Sequence, residues 1–389
     1  MMKEADRVWM VDTTLRDGAQ APGVVFRPLE KFWIASGLAA CGIDEIEAGI
    51  PGMGEFACRE ISALARLRLP CILSCWCRAV ASEIKLAAGC NVPGVHISFP
   101  TSSILLKTFE KDEGWVLDTL EDLVRFAKTY FDQVSVGAQD ATRTDRGFLL
   151  RFALAARDLG VHRLRLADTV GMASPVMVME MIRSLVREIP GLPLEFHGHN
   201  DLGMATANAV SAVDAGAQAL SVTVNGLGER AGNAPLEETA TALFGIGARN
   251  SNMTLDGLAG LCRAVAKFSG QTLPPDKPIV GERVFSHESG IHIAGLEKNP
   301  SSYQLFDPEL VGGRPGKVVI GSHSGSAGII RALKERGIHT DRETARRLIP
   351  AVREAAMQNK GTVSPAALES IFYGVTNRSR TIRPISSRV

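Results

Sequence analysis

The sequence predicts an α/β fold in which eight parallel strands close into a barrel, followed by a mostly helical C-terminal region. Short apolar runs alternate with amphipathic segments from residue 8 to about 245, and eight such runs can be counted. The glycine-rich segment Gly49-Ile-Pro-Gly52-Met-Gly54 has the spacing and the proline of a turn rather than of a dinucleotide-binding loop. Eight β-α units over this length suit a TIM (β/α)8 barrel better than an open doubly wound sheet.

The predicted strands and helices follow one another in regular order. The strands are predicted at Val8–Thr14, Glu45–Gly49, Cys71–Trp76, Gly94–Phe99, Gln133–Gly137, Arg163–Ala167, Leu194–His197 and Ala219–Asn225. Several carry Val, Ile and Leu on both alternating faces, as expected of strands that are buried on both sides. The amphipathic segments are Leu29–Cys41, Glu55–Leu67, Leu117–Tyr130, Phe148–Leu159, Pro175–Ile189 and Met204–Ala215, and the shortest link contains Ala81–Ala88.

A proline cluster at residues 274–278 predicts a boundary. We expect residues 1–270 to form the catalytic barrel and residues 271–389 to form a linker and helical subdomains. Helical patterns in this tail occur at Ala327–Arg336, Arg342–Asn359 and Pro365–Tyr373. Because the tail is too irregular for a second barrel, we expect it to pack on the barrel or on a second subunit and to contribute to a dimer and to the active site.

Composition excludes several classes of protein. A formal net charge of +1 over 389 residues argues against nucleic-acid binding, which usually requires a basic excess. No uncharged apolar stretch approaches the roughly 20 residues of a membrane span. The charged segment Met1–Arg7 lacks the apolar core of a signal peptide, and the seven cysteines form no CxxC pair. We therefore expect a cytoplasmic protein with reduced thiols and small-molecule substrates.

Polar residues at the predicted strand ends indicate a metal site, because functional side chains of this barrel type cluster at the C-terminal ends of strands. Glu195, His197 and His199 lie two residues apart and share one face of an extended strand, so both imidazoles can reach one ion. Asp17, after the first strand, is a candidate carboxylate ligand, although it could instead cap the next helix. The side-chain amide of Asn233 provides a further candidate oxygen ligand.

Two other segments carry candidate chemistry. Thr169, after the sixth strand, can donate a hydrogen bond to a carboxylate, and Arg16 is costly to bury without an anion partner. The segment His287-Glu-Ser-Gly-Ile-His292 resembles the zinc-binding HExxH motif, but its histidines are five residues apart and Gly290 argues against a helix. His292 is therefore better interpreted as an acid or base.

Four motifs together resemble the acyltransferase branch of the DRE-TIM metallolyase superfamily, which comprises 2-isopropylmalate, citramalate and homocitrate synthases. They are Asp12-Thr-Thr-Leu-Arg-Asp-Gly-Ala-Gln-Ala-Pro-Gly23, His197-Gly-His-Asn-Asp201, Asn225-Gly-Leu-Gly-Glu-Arg-Ala-Gly-Asn233 and Ser289-Gly-Ile-His292. Within that branch the chain resembles the nitrogen-fixation type of homocitrate synthase. The resemblance implies a homodimer, a divalent cation (Mg, Mn, Zn, Fe or Co) and condensation of acetyl-CoA, the cosubstrate, with 2-oxoglutarate.

The resemblance also implies a role for individual residues. Asp17, His197 and His199 would bind the metal, with Asn233 in or near its coordination shell. Arg16 would lie beside the ketone oxygen, Thr169 would bind the 2-oxo carboxylate, and Gln20 would lie near the acyl site. Glu195 would contact the reacting groups or metal-bound waters, and His96 would lie in the substrate pocket. His292 and Tyr303 would be a catalytic pair supplied by the partner subunit. Ser135 stands where lysine-pathway relatives carry an arginine for the distal carboxylate, so Arg78 is predicted to replace that arginine.

Other functions remain open at this stage. A 2-isopropylmalate or citramalate synthase would use the same chemistry on another 2-oxo acid. A lyase of the same superfamily would cleave the bond instead of forming it, and a non-catalytic binding protein would retain the barrel alone.

Overall fold

A computed structural model describes residues 7–247 and 251–381, with side chains to residue 377. The chain divides into two compact units. The first unit runs to Pro274 and includes Pro278–Val280, and the second consists of Pro275–Lys277 and the residues from Gly281 onward. No helix of the described residues is long and apolar enough to cross a membrane.

Eight parallel strands in the first unit form a closed barrel in sequence order, with β1 paired to β8. The strands are β1 (Trp9–Asp12), β2 (Glu45–Gly49), β3 (Ile72–Arg78), β4 (Gly94–Pro100), β5 (Gln133–Gln139), β6 (Arg163–Asp168), β7 (Leu194–Gly198) and β8 (Ala219–Val222). The predicted TIM barrel is confirmed, and each predicted strand overlaps an observed one. The first and last are shorter than predicted, because the chain enters turns at Thr14 and at Val224.

Helices follow the strands around the barrel. They are α1 (Pro28–Ala40), α2 (Glu55–Ala65), α3 (Ala81–Ala88), α4 (Ser103–Thr108), α5 (Glu113–Ala127), α6 (Arg146–Asp158), α7 (Pro175–Glu188), α8 (Ala205–Asp214), α9 (Leu236–Ile246) and α10 (Leu258–Ser269). Side-chain caps fix several helix starts: Asp112, Asp145 and Ser174 each accept a hydrogen bond from a backbone N–H of the first turn.

The inner face of the barrel is charged rather than apolar. Glu47 on β2 and Arg165 on β6 pair at 2.7 Å, and two strands that are not neighbours can meet only across the barrel interior. The apolar residues of β4, such as Val95 and Ile97, alternate with the polar His96 and are fully buried. The expectation of strands that are apolar on both faces was therefore wrong for the inner face, where each buried charge has a partner of opposite sign.

The described part of the second unit contains four α-helices: α11 (Gly290–Lys298), α12 (Ser326–Lys334), α13 (Arg342–Asn359) and α14 (Pro365–Thr381). Residues such as Ile329, Leu348 and Leu368 form a core shared by α12, α13 and α14. The inference that Gly290 argues against a helix was wrong, because glycine is tolerated at the first helical position. His287 precedes α11, so His287 and His292 do not lie on one helix.

Candidate active site

Three potential metal ligands meet at the C-terminal end of the barrel. Asp17 Oδ2 lies 3.4 Å from His197 Nε2, which lies 3.3 Å from His199 Nε2. One ligand atom from each side chain falls within 4.8 Å of the other two, and all three residues are buried. A carboxylate and two imidazoles at this spacing can bind one divalent cation. No other group of three His, Cys, Asp or Glu ligands meets this spacing in the described parts of the chain.

The turn after β1 that carries Asp17 is tied to the end of β8. The buried carboxylate of Asp12 accepts hydrogen bonds from the backbone N–H and the hydroxyl of Thr14, at 2.8 and 2.9 Å. Thr14 Oγ1 in turn accepts from the N–H of Val224 at 2.9 Å. Burial raises the pKa of Asp12 to about 7, although the two bonds from Thr14 oppose this shift. The turn is fixed between two neighbouring strand ends, and Asp17 is presented beside the segment that follows β8.

That segment orients His199. An isolated antiparallel bridge joins His199 to Asn233, and His199 Nδ1 lies 3.3 Å from the carbonyl oxygen of Gly232. The tautomer with a proton on Nδ1 donates this bond and leaves the Nε2 lone pair free. Gly232 has φ of +84°, and a Cβ there would collide with the carbonyl oxygen of Gly226, so glycine is required. Burial, with the nearby His197, lowers the pKa of His199 to about 4, which keeps the imidazole neutral at pH 7.

The charge and hydrogen bonding of Asp17 and Asn233 fit a metal ligand set. Burial opposes ionisation of Asp17, but Arg16, whose Nη1 lies 2.8 Å from Asp17 Oδ2, outweighs it and holds the pKa of Asp17 well below its usual value. Asn233 Nδ2 donates to Asp17 Oδ1 at 3.2 Å and to the carbonyl oxygen of Leu227 at 2.9 Å. The amide oxygen of Asn233 is buried, and none of the described groups hydrogen-bonds to it. A buried oxygen of this kind beside a carboxylate and two imidazoles suits a divalent cation.

A polar cavity of about 200 Å³ opens beside these residues. It is lined by Arg16, Asp17, Gln20, Trp76, His96, Ser98, Gly137, Ala138, Gln139, Arg165, Ala167, Thr169, His197, His199, Glu229 and Arg230. Three of the lining residues are arginines, whose guanidinium groups can donate directed hydrogen bonds to a carboxylate. The lining includes seven of the twelve residues singled out from the sequence: Arg16, Asp17, Gln20, His96, Thr169, His197 and His199.

A ladder of alternating arginines and glutamates fills the barrel beneath the cavity. Arg16 Nε lies 2.7 Å from Glu47 Oε2, and Arg165 bridges Glu47 and Glu195 at 2.7 and 2.6 Å. Arg163 continues the ladder to Glu195 at 2.5 Å. Burial opposes ionisation of Glu195, but Arg165 and Arg163 outweigh it and lower its pKa to about 2. These fixed ion pairs hold Arg16 and Arg165 in place at the floor of the cavity.

His96 is held in one orientation by its neighbours. Its Nδ1 lies 2.9 Å from Ser135 Oγ on β5, and its ring lies over Gly137, where a Cβ would come within 2.5 Å of His96 Nε2. Burial, followed by the cationic Arg165 and Arg16, lowers the pKa of His96 well below its usual value. His96 is therefore a neutral group at the cavity wall. Its Nε2 carries a proton when the Ser135 hydroxyl donates to Nδ1.

Thr169 and Arg230 form another part of the lining. Thr169 Oγ1 accepts from the N–H of Asp140 at 2.9 Å, which leaves the hydroxyl hydrogen available to a ligand. Arg230 is held by Asp201 at 2.8 Å and donates to the carbonyl oxygen of Thr169 at 2.8 Å. This side of the cavity can donate hydrogen bonds to a carboxylate.

Five of the twelve residues predicted from the sequence are not among the lining residues. Arg78 is not in the cavity lining, because its Nε lies 2.6 Å from Glu83 and its side chain is 68% exposed. Glu195 is fully buried beneath the cavity, two residues before His197, so it holds arginines rather than contacting a ligand. Asn233 is buried beside Asp17, outside the lining.

His292 and Tyr303 belong to the second unit, where their rings stack with centroids 4.2 Å apart. Both side chains are exposed. They form a stacked pair within that unit.

Sequence reasoning missed Glu47, Arg163 and Arg165. The signal was present, since charged residues alternate with apolar ones in Glu45-Ile-Glu47 and in Arg163-Leu-Arg-Leu-Ala167. A charge at every second position of a buried strand predicts an inward-facing polar row. The sequence did not show that the rows on β2 and β6 face each other.

Comparison with known proteins identifies the family. Residues 7–265 match the family model described as HMGL-like, and residues 279–360 match the homocitrate synthase post-HMGL domain-like model. The chain is 45% identical to 2-isopropylmalate synthase 2 of Caldanaerobacter subterraneus over 96% of this chain and 97% of that one. It is 42% identical to homocitrate synthase 1 of a Nostoc species over 93% of this chain and 96% of that one.

A solved HMG-CoA lyase from Acenitobacter baumannii shares the barrel fold, with a TM-score of 0.62 and 21% identity over 70% of this chain and 94% of that one. The two family models follow one another along most of the chain. The protein therefore belongs to the HMGL-like family, in the 2-oxo acid synthase branch of the DRE-TIM barrels that includes 2-isopropylmalate and homocitrate synthases.

Proposed function

We propose that this protein is a homocitrate synthase, an acyltransferase that condenses acetyl-CoA with 2-oxoglutarate and releases (R)-homocitrate and CoA. The observation that carries the proposal is a buried Asp17, His197 and His199 cluster beside a cavity lined by three arginines. The cluster suits a cation that binds a 2-oxo acid, and the arginines suit a substrate with two carboxylates. The 42% identical homocitrate synthase of Nostoc also supports it.

Asp17, His197, His199 and Asn233 would hold the divalent cation. When bound, the cation would polarise the 2-oxo group as a Lewis acid. Nitrogen and oxygen ligands of this kind accept Mg, Mn, Zn, Fe or Co, so the ligand set does not select one metal. The role of the four side chains would be to keep the ligand nitrogens and oxygens in place before substrate arrives.

The cavity residues would bind and orient the 2-oxo acid. Arg16, fixed by Asp17 and Glu47, would stabilise the negative charge that develops on the ketone oxygen. Thr169 would donate its hydroxyl hydrogen to the carboxylate next to the ketone. Gln20, which lines the cavity, would contact the acetyl thioester.

His292 and Tyr303 would move the proton. A base must take a proton from the acetyl methyl group, and the resulting enolate attacks the ketone carbon to form the new carbon–carbon bond. Water then hydrolyses the thioester and releases CoA. The second unit would supply this stacked pair to the partner subunit of a homodimer, so that residues 271–389 contribute to both the dimer and the active site.

A 2-isopropylmalate synthase is the second candidate, favoured by the 45% identical Caldanaerobacter relative. That enzyme class would need an apolar pocket for a branched alkyl group. His96, Ser98, Gln139 and Arg165 give one wall of this cavity a polar character, which supports a dicarboxylic 2-oxo acid instead.

An assay of thiol release from acetyl-CoA with a panel of 2-oxo acids distinguishes the two candidates. We expect 2-oxoglutarate to support the fastest release, with homocitrate as the product. Faster release with 2-oxoisovalerate would favour 2-isopropylmalate synthesis. A cytoplasmic location and the use of the product in the nitrogenase iron–molybdenum cofactor are part of the same proposal and rest on the resemblance to the nitrogen-fixation type.

A further inference from the structure

We propose that Arg165 selects dicarboxylic 2-oxo acids by binding the carboxylate farther from the ketone. The inference rests on the proposed function, because it names the residue that would distinguish 2-oxoglutarate from an alkyl 2-oxo acid at the same site. It replaces the prediction from the sequence that Arg78 binds this carboxylate.

The ion pairs of Arg165 with the two glutamates involve Nε and Nη1 and leave Nη2 for a ligand. Nε lies 2.6 Å from Glu195 Oε1 and Nη1 lies 2.7 Å from Glu47 Oε1, so two sides of the guanidinium are fixed. Nη2 is buried, and within residues 7–247 and 251–381 it has no hydrogen-bond partner. The side chain is 4% exposed and lines the cavity. A buried donor without an acceptor is unfavourable, and a carboxylate in the cavity would satisfy it.

The distance of Arg165 below the metal-ligand layer suits the far carboxylate of a short dicarboxylate. In the register of β6 and β7, Ala167 lies beside His197, and Arg165 lies beside Glu195, one layer deeper. Two residues of a strand span about 6.6 Å, so Arg165 lies about that far below the metal-ligand layer. A 2-oxo acid held by its ketone and adjacent carboxylate at that layer would extend its chain toward Arg165.

The neighbouring strand brings the His96 imidazole to the layer of Arg165. Gly137 on β5 is the register partner of Arg165 on β6, and the His96 ring occupies the space where a side chain of Gly137 would lie, with Nε2 2.5 Å from the position of a Cβ. Ser135, one layer deeper on β5, is engaged with His96. The position where relatives of the lysine pathway carry an arginine is therefore occupied by a structural hydrogen bond, and Arg165 offers a donor from the next strand.

Arg165 would select its ligand through a directed hydrogen bond from Nη2 rather than through a net positive charge of the ladder. The three arginines of the ladder are Arg16, Arg163 and Arg165. They pair with the three glutamates Glu45, Glu47 and Glu195, so the formal charges of the ladder cancel before substrate binds. A carboxylate would pair with Nη2, whereas an isopropyl group would leave Nη2 buried without an acceptor. Sites built to hydrogen-bond a substrate reject analogues that lack the group by large factors.

The test compares Arg165→Met with Arg163→Met. Arg163 is a matched control, because it also binds Glu195 but is not in the cavity lining and has both its Nε and its Nη2 paired with carboxylates. Binding of 2-oxoglutarate and of 2-oxoisovalerate would be measured by titration calorimetry on the metal-loaded protein without acetyl-CoA. We expect Arg165→Met to lower the preference for 2-oxoglutarate by roughly 100-fold and Arg163→Met to keep the wild-type ratio.

A second variant, Arg165→Lys, keeps the proposal testable if the methionine variant does not fold. Lysine keeps the charge but loses the planar fork, so an intermediate preference is expected. An unchanged preference in Arg165→Met or Arg165→Lys would overturn the proposal, as would an equal loss in Arg163→Met. If wild-type protein binds 2-oxoglutarate through Arg165 but releases no thiol from acetyl-CoA, the synthase function fails and the assignment of Arg165 stands.

Discussion

Asn233 Nδ2 lies 3.2 Å from Asp17 Oδ1, and this bond turns the amide oxygen of Asn233 away from a carboxylate that would repel it. Nδ2 donates its second hydrogen to the carbonyl oxygen of Leu227, so both amide N–H groups of Asn233 have an acceptor. The orientation of Asn233 is thereby fixed with its oxygen unpartnered among the described groups. Asn233 therefore supports the candidate metal site by positioning the Asp17 carboxylate through this hydrogen bond.

Replacing His197 by Ala should remove metal binding and leave the barrel folded. The change takes away one of three ligand side chains whose donor atoms lie within 4.8 Å of one another. Metal content after dialysis, and the rise in unfolding free energy on adding metal, both measure the effect. Wild-type protein should gain about 2.7 kcal/mol at 100 times the dissociation constant, and His197→Ala should gain little.

The control for this variant is His323→Ala, which removes an exposed histidine of the second unit. We expect it to retain the metal content of the wild type. Equal metal content in His197→Ala and wild-type protein would contradict the proposed ligand set.

Replacing Gly137 by Ala should displace His96. The added Cβ would lie 2.5 Å from His96 Nε2, so the ring has to move away from the cavity wall. Because a shift of about 1 Å in a positioning group can lower activity about 100-fold, we expect a loss of that order in kcat/KM for the 2-oxo acid.

The matched control is Gly245→Ala in α9, where nothing lies within 4 Å of the added Cβ. Alanine is the better helix former, so this variant should keep full activity and gain roughly 0.5–1 kcal/mol in unfolding free energy. Full activity in Gly137→Ala would show that the position of His96 does not matter for the reaction.

The eight strands could be predicted from the sequence because each carries apolar residues at successive or alternate positions, with amphipathic segments in most of the links between them. Helix α4 was missed, since Ser103–Thr108 is shorter than two turns and lies in a link that the amphipathic segment of α5 already explained. Helix α11 was not predicted, because Gly290 was interpreted as a glycine in a helix interior, where it is unfavourable. In the structure it occupies the first helical position.

The candidate site was predictable only in part. The proximity of Asp17 to His197 and His199 follows from the meeting of strand ends at one edge of a parallel barrel. The position of Arg165 does not follow, because the partner of an inward-facing charge depends on which strands face each other across the barrel. Arg78 was favoured instead as a cation at a strand end, and the sequence did not reveal that Glu83 pairs with it.

Replacing Glu195 by Gln should destabilise the protein at neutral pH by roughly 3 kcal/mol, because Arg163 and Arg165 would lose a buried counter-charge. The folded pKa of about 2 lies below the usual 4.5, so the folded state binds fewer protons between these values. The stability from ionised Glu195 is therefore present above pH 4.5 and is lost as the pH falls through 2.

Urea unfolding of both proteins at pH 7, 4 and 3 measures this difference, which should shrink as the pH is lowered. The exposed pair of Glu121 and Arg125 provides the control, and Glu121→Gln should change stability by less than about 0.5 kcal/mol. A difference between Glu195→Gln and wild type that is independent of pH would contradict the assignment of its pKa.

Replacing Tyr303 by Phe or His292 by Asn should slow the reaction without weakening 2-oxo acid binding. General acid–base groups contribute about 10²–10⁴-fold, so a fall of that order in kcat is expected with an unchanged dissociation constant for 2-oxoglutarate. Tyr373→Phe, which alters another exposed tyrosine, should have no effect on kcat. Wild-type kcat in both His292→Asn and Tyr303→Phe would exclude the pair from proton transfer.

The most direct test is titration of 2-oxoglutarate into metal-free and metal-loaded protein in the absence of acetyl-CoA, with Asp17→Asn measured alongside. The account predicts markedly tighter binding to the metal-loaded wild type and no gain from metal in Asp17→Asn. The same affinity in all four samples, wild type and Asp17→Asn each with and without metal, would contradict it, because the cation and the 2-oxo acid would then not share this cavity.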